Sequence, residues 1–244
     1  MTAPALSLAH VRRVFGGVVA LADLSLDIAA GEIVALVGDN GAGKSTLVKI
    51  IAGVLPPSGG RILLDGTEAT MTSPADAQAR GIQVVHQDLA LADSQPVYMN
   101  LFLGRELTKG PLRRLDRRRM IAETERLVQA LDVRIPSARA AIRDLSGGQR
   151  QGVAIARATH WASRVVLMDE PTAALGVAER ERVERIIAGL RARSLAVLLI
   201  SHSLDQVFRL ADRICVLRRG VQIGVRQAAA TTPNEIVGMI TGAA

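Results

Sequence analysis

Aromatic residues and cysteine are scarce in this chain of 244 residues. Aromatic residues make up 2% of it, whereas proteins that bind single-stranded nucleic acid need aromatic side chains on which bases stack. The single cysteine, Cys215, lies in the apolar run Ile214 to Leu217, which excludes an internal disulfide and suits a reducing cytosol. Cys215 is therefore expected to be a small core residue.

The sequence also lacks a long apolar run and a secretory leader pattern. A membrane-spanning helix needs about eighteen or more consecutive apolar residues, and no such stretch exists. We therefore expect a chain that is not exported, does not span a membrane and is soluble in isolation. With 49% hydrophobic residues, it can form one large α/β domain or a core domain with a smaller one attached.

Lysine is also scarce, so the net charge of +7 comes mainly from arginine. A basic balance can indicate nucleic acid or an anionic membrane surface. The abundance of arginine and alanine instead suggests a compositional habit of the source genome, so no nucleic-acid partner is expected. The arginines of the segment Arg113 to Arg119 predict a solvated helix start, with anionic headgroups or a protein partner as the alternative.

Hydrophobic periodicity predicts strands near both ends of the chain and helices between them. The segment from Leu89 to Trp161 has helical patterns without intervening strands, whereas strands and helices alternate after Val165. Alternation predicts a parallel sheet covered by helices. We assign residues 1–88 and 162–244 to a core and residues 89–161 to a helical subdomain. The predicted strands are Leu6 to Val14, Val18 to Ile28, Arg61 to Leu64, Ile82 to Val85, Val165 to Met168, Leu195 to Ile200, Ile214 to Leu217 and Val221 to Val225.

A glycine-rich stretch follows the apolar run Ile33 to Val37. Residues Gly38 to Ser45 read GDNGAGKS and fit the phosphate-binding loop pattern G-x-x-x-x-G-K-[S/T], ahead of a helical run. Small residues let backbone N–H groups and the helix N-terminus surround a pyrophosphate. Lys44 is then expected to reach the β- and γ-phosphates, and the Ser45 hydroxyl to ligate magnesium.

Two further motifs point to phosphate chemistry. The acids Asp169 and Glu170 end an apolar strand, and in a parallel sheet such strand ends face the ligand crevice. We assign Asp169 to a metal and Glu170 to the attacking water. The pentapeptide LSGGQ, residues 145–149, precedes a helix and predicts a second anion-binding N-terminus.

Taken together, these motifs resemble the nucleotide-binding subunit of an ATP-binding cassette (ABC) transporter, because they come in that family's order and spacing. The resemblance covers essentially the whole chain. It implies an α/β fold with a P-loop NTPase (RecA-like) core, an antiparallel β subdomain and an ABC-specific α-helical subdomain, and an ATPase that uses ATP and Mg²⁺. In that family two cassettes pack head to tail, so Ser146 and Gly148 would contact the γ-phosphate bound by the partner.

Three more positions acquire roles through the resemblance. Gln87 matches the glutamine that senses metal and nucleophile and touches the permease, and His202 matches the switch histidine that hydrogen-bonds the γ-phosphate. Phe15 matches the aromatic residue that stacks on adenine, although tyrosine is more frequent there and a core phenylalanine is the alternative. Gly176 is a departure, since the family commonly has an aspartate that reaches across the dimer; catalysis by Glu170 is not affected.

The complete assignment is as follows. Nucleotide binding is assigned to Phe15, Gly38, Asp39, Asn40, Gly41, Ala42, Gly43, Lys44, Ser45, Thr46, Ser146, Gly147, Gly148 and Gln149. Catalysis is assigned to Lys44, Gln87, Glu170 and His202, and the metal to Ser45, Gln87 and Asp169.

Finer resemblance indicates bacterial monosaccharide importers of the ribose, xylose and fructose type. The stretches that carry it are GDNGAGKSTL, VVHQDLAL, NLFLGRE, LSGGQRQGVAIARA, DEPTAALGV and MITG. Many such proteins fuse two cassettes, but this chain has one, as the fructose type does, so a homodimer is the simplest assembly. The resemblance implies a separate integral membrane permease, a periplasmic sugar-binding protein and a location at the cytoplasmic face of the bacterial inner membrane.

Other classes fit the sequence less well. An importer of another small solute, such as an amino acid, is the alternative within the family. A DNA-maintenance ATPase would need a long coiled coil or a zinc module between Gln87 and Leu145, and a small-molecule kinase has no use for LSGGQ.

Overall fold

The computed structural model describes residues 3–173 and 175–243. The strands are β1 Leu6–Phe15, β2 Val18–Ile28, β3 Ile33–Val37, β4 Gly59–Leu64, β5 Thr67–Glu68, β6 Ile82–Val85, β7 Thr108–Lys109, β8 Arg114–Leu115, β9 Val165–Asp169, β10 Ala196–Ile200, β11 Arg213–Arg218 and β12 Val221–Gln227. The α-helices are α1 Lys44–Ile51, α2 Pro74–Ala79, α3 Val97–Leu101, α4 Arg117–Ala130, α5 Gly147–Trp161, α6 Val177–Gly189, α7 Leu204–Leu210 and α8 Pro233–Thr241.

Ten of these strands form one sheet in the order β5-β4-β1-β2-β12-β11-β3-β10-β9-β6. The pairs β11/β3, β3/β10 and β10/β9 are parallel, whereas β2/β1, β1/β4 and β4/β5 are antiparallel. The parallel part brings the carboxyl ends of β3, β10 and β9 to the same edge of the sheet. Loops that follow these three strands are therefore neighbours.

The central strand β3 is buried on both faces, as expected for a parallel strand covered by helices. Val34 and Leu36 belong to a core that includes the apolar face of α1. Ala35 and Val37 belong to a second core, formed with residues of α7, β11 and α8. Each fully buried Val or Leu contributes roughly 1.5–3 kcal/mol relative to exposure, so this strand is firmly anchored.

The last two strands differ from the expected parallel arrangement. Strands β11 and β12 pair antiparallel, and only Val221 of β12 is in parallel register with β2, opposite Asp23. The reason is the turn between them, where Arg219 and Gly220 have φ angles of 48° and 79°. Two successive residues with positive φ form the tight turn that reverses a strand into a hairpin.

The chain divides into two compact units. The first contains Met1–Val84, Ala162–Glu170 and Leu190–Ala244, and the second contains Val85–Trp161 and Pro171–Gly189. The second unit therefore includes α6 in addition to helices of the segment 89–161. The functional division into a core and a helical subdomain stays a prediction.

Helices dominate the second unit, but it is not free of strands as expected. Thr108–Lys109 and Arg114–Leu115 form a short antiparallel hairpin, so the predicted absence of strands between 89 and 161 is wrong. Each strand has two exposed residues, too few for a period-two pattern to be visible. Over residues 3–173 and 175–243, no helix has the length and hydropathy that crossing a bilayer requires.

Candidate functional site

The phosphate loop connects β3 to α1 and is shaped by glycines with positive φ. Gly38, Gly41 and Gly43 have φ angles of 154°, 80° and 105°. A Cβ at Gly43 would lie 2.6 Å from the Ala20 carbonyl oxygen, so glycine is required there by close packing as well as by its backbone angle. Gly43 caps α1 without a side-chain hydrogen bond, and the first turn of α1 has no acidic residue. The helix N-terminus thus keeps donors and positive potential for an anion.

Lys44 is half-buried and folds back on this loop. Its Nζ donates hydrogen bonds to the carbonyl oxygens of Gly38 at 2.6 Å and Asp39 at 2.9 Å. Partial burial lowers the pKa of Lys44, against the opposing fields of Glu170, Asp39 and Asp169. The sequence-predicted lysine and both predicted strand-end acids therefore act on one another electrostatically. In the same loop, Asp39, Asn40, Gly41 and Ser45 are exposed, Thr46 is half-buried and Ala42 is buried.

The predicted base and switch histidine lie in contact. Strand β9 ends at Asp169, which is in register with Ile200 at the end of β10. Glu170 and His202 follow these strands, and Glu170 Oε2 lies 2.8 Å from His202 Nδ1. The Glu170 side chain is 17% exposed and that of His202 is 75% exposed. This pair can orient a water through the carboxylate, and most of the His202 side chain is accessible.

Glu170 has a left-handed backbone conformation. Its φ is 52°, while its N–H donates to the Ile200 carbonyl at 3.0 Å, which holds the turn against β10. A non-glycine residue in this region costs about 1–2 kcal/mol. Strain of this kind concentrates at functional sites, and here it lies at the residue whose carboxylate contacts His202.

The LSGGQ segment forms the start of α5 through reciprocal hydrogen bonds. Ser146 N–H donates to Gln149 Oε1 at 2.9 Å, and Gln149 N–H donates to Ser146 Oγ at 3.3 Å. This is a capping box, which satisfies two backbone donors of a helix start. Gln149 Nε2 also donates to the Arg134 carbonyl at 2.9 Å, so the Gln149 side chain is engaged at both ends. Gly147 and Gly148, the two glycines of the motif, are half-buried.

A residue that sequence reasoning missed lies on this motif. Glu179, in the first turn of α6, accepts hydrogen bonds from Ser146 Oγ at 2.8 Å and from Gly148 N–H at 3.2 Å. A local signal existed, because a glutamate three residues after Gly176 is the second half of a capping box. Its contact with Gly148, 31 positions away, has no local signal.

The remaining predicted residues lie as follows. Gln87 is exposed in the bend after β6, within the second unit, and its role stays a prediction. Phe15 ends β1 and is 41% exposed, so it is not an ordinary core residue. The Arg13 guanidinium lies 4.6 Å from the centre of its ring. In the run Ala173-Ala174-Leu175, Ala174 lies outside the described residues.

The oxygens available to a metal are of the type that magnesium prefers. The predicted donors, a Ser45 hydroxyl and an Asp169 carboxylate, are hard oxygen ligands. Within the described part of the chain, no cluster of three or more His, Cys, Asp or Glu side chains could hold a metal ion. The two predicted protein oxygens fit Mg²⁺, which usually relies on one or two protein oxygens plus substrate phosphates.

The loop, its helix and the acids at the end of a parallel strand of the same sheet define a P-loop nucleotide-binding protein. The family described as ABC transporter matches residues 21–173, more than half of the chain. The chain is also similar to the xylose/arabinose import ATP-binding protein of Sulfolobus acidocaldarius, with 43% identity over 236 residues, 97% of this chain and 93% of that protein. It therefore belongs to the ABC transporter family, as an ATP-hydrolysing cassette.

Two further similarities support this assignment. The fructose import ATP-binding protein of Rhizobium meliloti is 43% identical over 235 residues, 94% of this chain and 90% of that protein. The solved ADP conformation of MJ1267, an ATP-binding cassette of an ABC transporter, has a TM-score of 0.83 and 25% identity, covering 98% of this chain and 96% of that one. The predicted fold class, a P-loop NTPase core with β and helical parts, is confirmed.

Proposed function

We propose that the chain powers the import of a monosaccharide by binding and hydrolysing ATP as one half of a head-to-tail homodimer. The observation that carries the chemistry is the contact of Glu170 with His202 beside the phosphate loop. The observation that carries the substrate class is the similarity, over nearly the whole chain, to relatives named as xylose/arabinose and fructose import proteins.

The phosphate loop binds ATP through backbone N–H groups at the start of α1. Lys44 exchanges its two carbonyl acceptors, Gly38 and Asp39, for the β- and γ-phosphates. Phe15, exposed at the end of β1, offers an aromatic face to adenine. Ser45 and Asp169 would hold Mg²⁺, which supplies charge neutralisation at the phosphates when it is bound.

Hydrolysis uses the two loops that follow β9 and β10. Glu170 orients a water in line with the γ-phosphorus and accepts its proton as the bond to ADP breaks. His202 keeps Nδ1 on Glu170 and presents Nε2 to the γ-phosphate. Gln87 reports the state of this site to the permease.

The signature loop supplies the second half of each ATP site. Ser146 directly precedes α5 of the second unit, and Gly147 and Gly148 start it. The Ser146 hydroxyl and the N–H groups of the two glycines suit a γ-phosphate presented by a second copy of the chain. ATP binding then closes the dimer, and hydrolysis reopens it. The sugar itself passes through the permease, with a periplasmic binding protein delivering it, at the cytoplasmic face of the bacterial inner membrane.

The test is purification of the tagged chain from gently solubilised native membranes. We expect a multi-span permease to copurify, and the ATPase rate to rise when the cognate binding protein and one monosaccharide are added. Stimulation by an amino acid would overturn the sugar assignment. Copurification of nucleic acid without a membrane protein would overturn the role in import.

A further inference from the structure

Glu179 holds a carboxylate against the signature loop of its own chain. Ser146 Oγ and Gly148 N–H donate to the same oxygen, Oε1, at 2.8 and 3.2 Å. The Gly176 N–H is a third donor to this carboxylate. Three donors from α5 and from the start of α6 therefore converge on one anionic group.

The electrostatics keep this group charged. The hydrogen bonds from Ser146 and then Gly148 lower the pKa of Glu179, with smaller contributions from Gly176 and Arg182. The carboxylate is thus ionised at neutral pH, and the bonds it accepts are charge-assisted, roughly twice as strong as neutral ones. The signature loop is already occupied by an anion that belongs to the same chain.

Gly148 permits this approach. A Cβ at Gly148 would lie 2.9, 3.0 and 3.1 Å from Cβ, Cγ and Cδ of Glu179. These separations are shorter than ordinary carbon contacts, so any larger residue would push Glu179 away. One of the two signature glycines therefore lies directly under the glutamate side chain.

From this geometry we infer that Glu179 is an internal competitor for the γ-phosphate at the signature loop. Its carboxylate takes the Ser146 hydroxyl and the Gly148 N–H, two of the groups that the nucleotide of the partner cassette requires. Glu179 must therefore leave before two cassettes can close on ATP. This inference rests on the proposed head-to-tail dimer and concerns how readily that dimer forms.

The structure contains a place for the displaced carboxylate. Arg182 lies three residues further along α6 and already acts electrostatically on Glu179. Side chains at positions i and i+3 are neighbours on a helix surface. Rotation of Glu179 toward Arg182 exchanges neutral hydrogen-bond donors for an ionic partner, so release needs no unfolding of α6.

The test compares two proteins in a background that cannot hydrolyse ATP. Glu170→Gln alone is titrated with magnesium-ATP, and the dimer fraction is measured by light scattering during size-exclusion chromatography. Adding Glu179→Gln removes the charge but preserves the side-chain size. We expect the ATP concentration for half-maximal dimerisation to fall about tenfold, since a charge-assisted contact becomes a neutral one. Glu179→Asp, whose shorter side chain withdraws the carboxylate, should shift it in the same direction.

The matched control is Glu181→Gln, which removes an exposed carboxylate from the same helix and should leave the midpoint unchanged. Thermal unfolding of every variant verifies that the fold is retained. If Glu170→Gln alone never dimerises with ATP, the proposed dimer fails. If Glu170→Gln dimerises but neither Glu179 substitution lowers the ATP midpoint, Glu179 is only a helix cap and the inference is overturned.

Discussion

Substitution of Gly38, at the junction of β3 and the phosphate loop, can be compared with substitution of Gly41, three residues further into the same loop. Gly38 has a φ of 154°, a region that is essentially restricted to glycine. An added Cβ would penetrate the Leu217 carbonyl oxygen and lie 3.1 Å from both the Leu217 carbonyl carbon and Ala42 Cβ. Gly41 has a φ of 80°, but a Cβ there meets no atom within 4 Å.

The two substitutions therefore differ mainly in steric overlap. Gly41→Ala has only backbone strain of about 1–2 kcal/mol, partly offset by the lower entropy of alanine in the unfolded chain. Gly38→Ala adds overpacking of about 1–3 kcal/mol against backbone atoms that cannot rotate away. We expect a loss of about 1 kcal/mol for Gly41→Ala and about 3 kcal/mol or more for Gly38→Ala.

Thermal unfolding without nucleotide measures both effects. For a chain of this size 1 kcal/mol corresponds to about 2–4 °C, so the expected decreases are about 2–4 °C for Gly41→Ala and at least about 6 °C for Gly38→Ala. Equal decreases would refute the argument, because they would mean that the Leu217 carbonyl does not confine the loop. A stable Gly38→Ala protein would refute it as well.

Four further outcomes are expected from the site and the core. Glu170→Gln should reduce phosphate release by about 10²–10⁴-fold and leave an ATP-bound dimer detectable by light scattering; a monomer in ATP would contradict the assigned base. Lys44→Ala should weaken binding of a fluorescent ATP analogue by about tenfold or more, and unchanged affinity would exclude the phosphate contact. Gly176→Asp should keep the free energy of unfolding within about 0.5 kcal/mol of the parent, since no atom lies within 4 Å of the added Cβ. Burial raises the pKa of the Cys215 thiol from 9.0 to about 12, so the contribution of this thiol to stability should be constant below pH 9 and fall as pH rises from 9 toward 12; rapid thiol labelling of the folded protein at pH 8 would contradict this.

Elements with local signals could be predicted from sequence almost to the residue. Ser73 caps α2 with Pro74 in the first turn, as expected from their residue types. Strand β6 runs from Ile82 to Val85, as predicted. A helix accompanies the signature as expected, although α5 already begins at Gly147, within the motif. Each of these segments has a strong cap, glycine boundary or continuous apolar run.

The features that sequence reasoning missed depend on short turns or distant contacts. The antiparallel pairing of β11 with β12 follows from the turn at Arg219 and Gly220. The alternation of strands and helices in this part of the sequence predicted a parallel arrangement instead. The position of Glu179 on Gly148 depends on how α5 and α6 pack in the second unit. Motif spacing locates the phosphate loop, Glu170 and His202. It contains no information about which side chain accepts a hydrogen bond from Ser146.

Strand β3 is shared by two cores, so α8 packs in the same core as the residue that precedes the phosphate loop. Val37 packs in the core that includes Ile236 and Met239 of α8, and the next residue is Gly38, where the phosphate loop begins. Close-packed interiors transmit displacement rather than absorb it. Changes to the packing of Ile236 or Met239 are therefore changes to the support of the residue that precedes the phosphate loop.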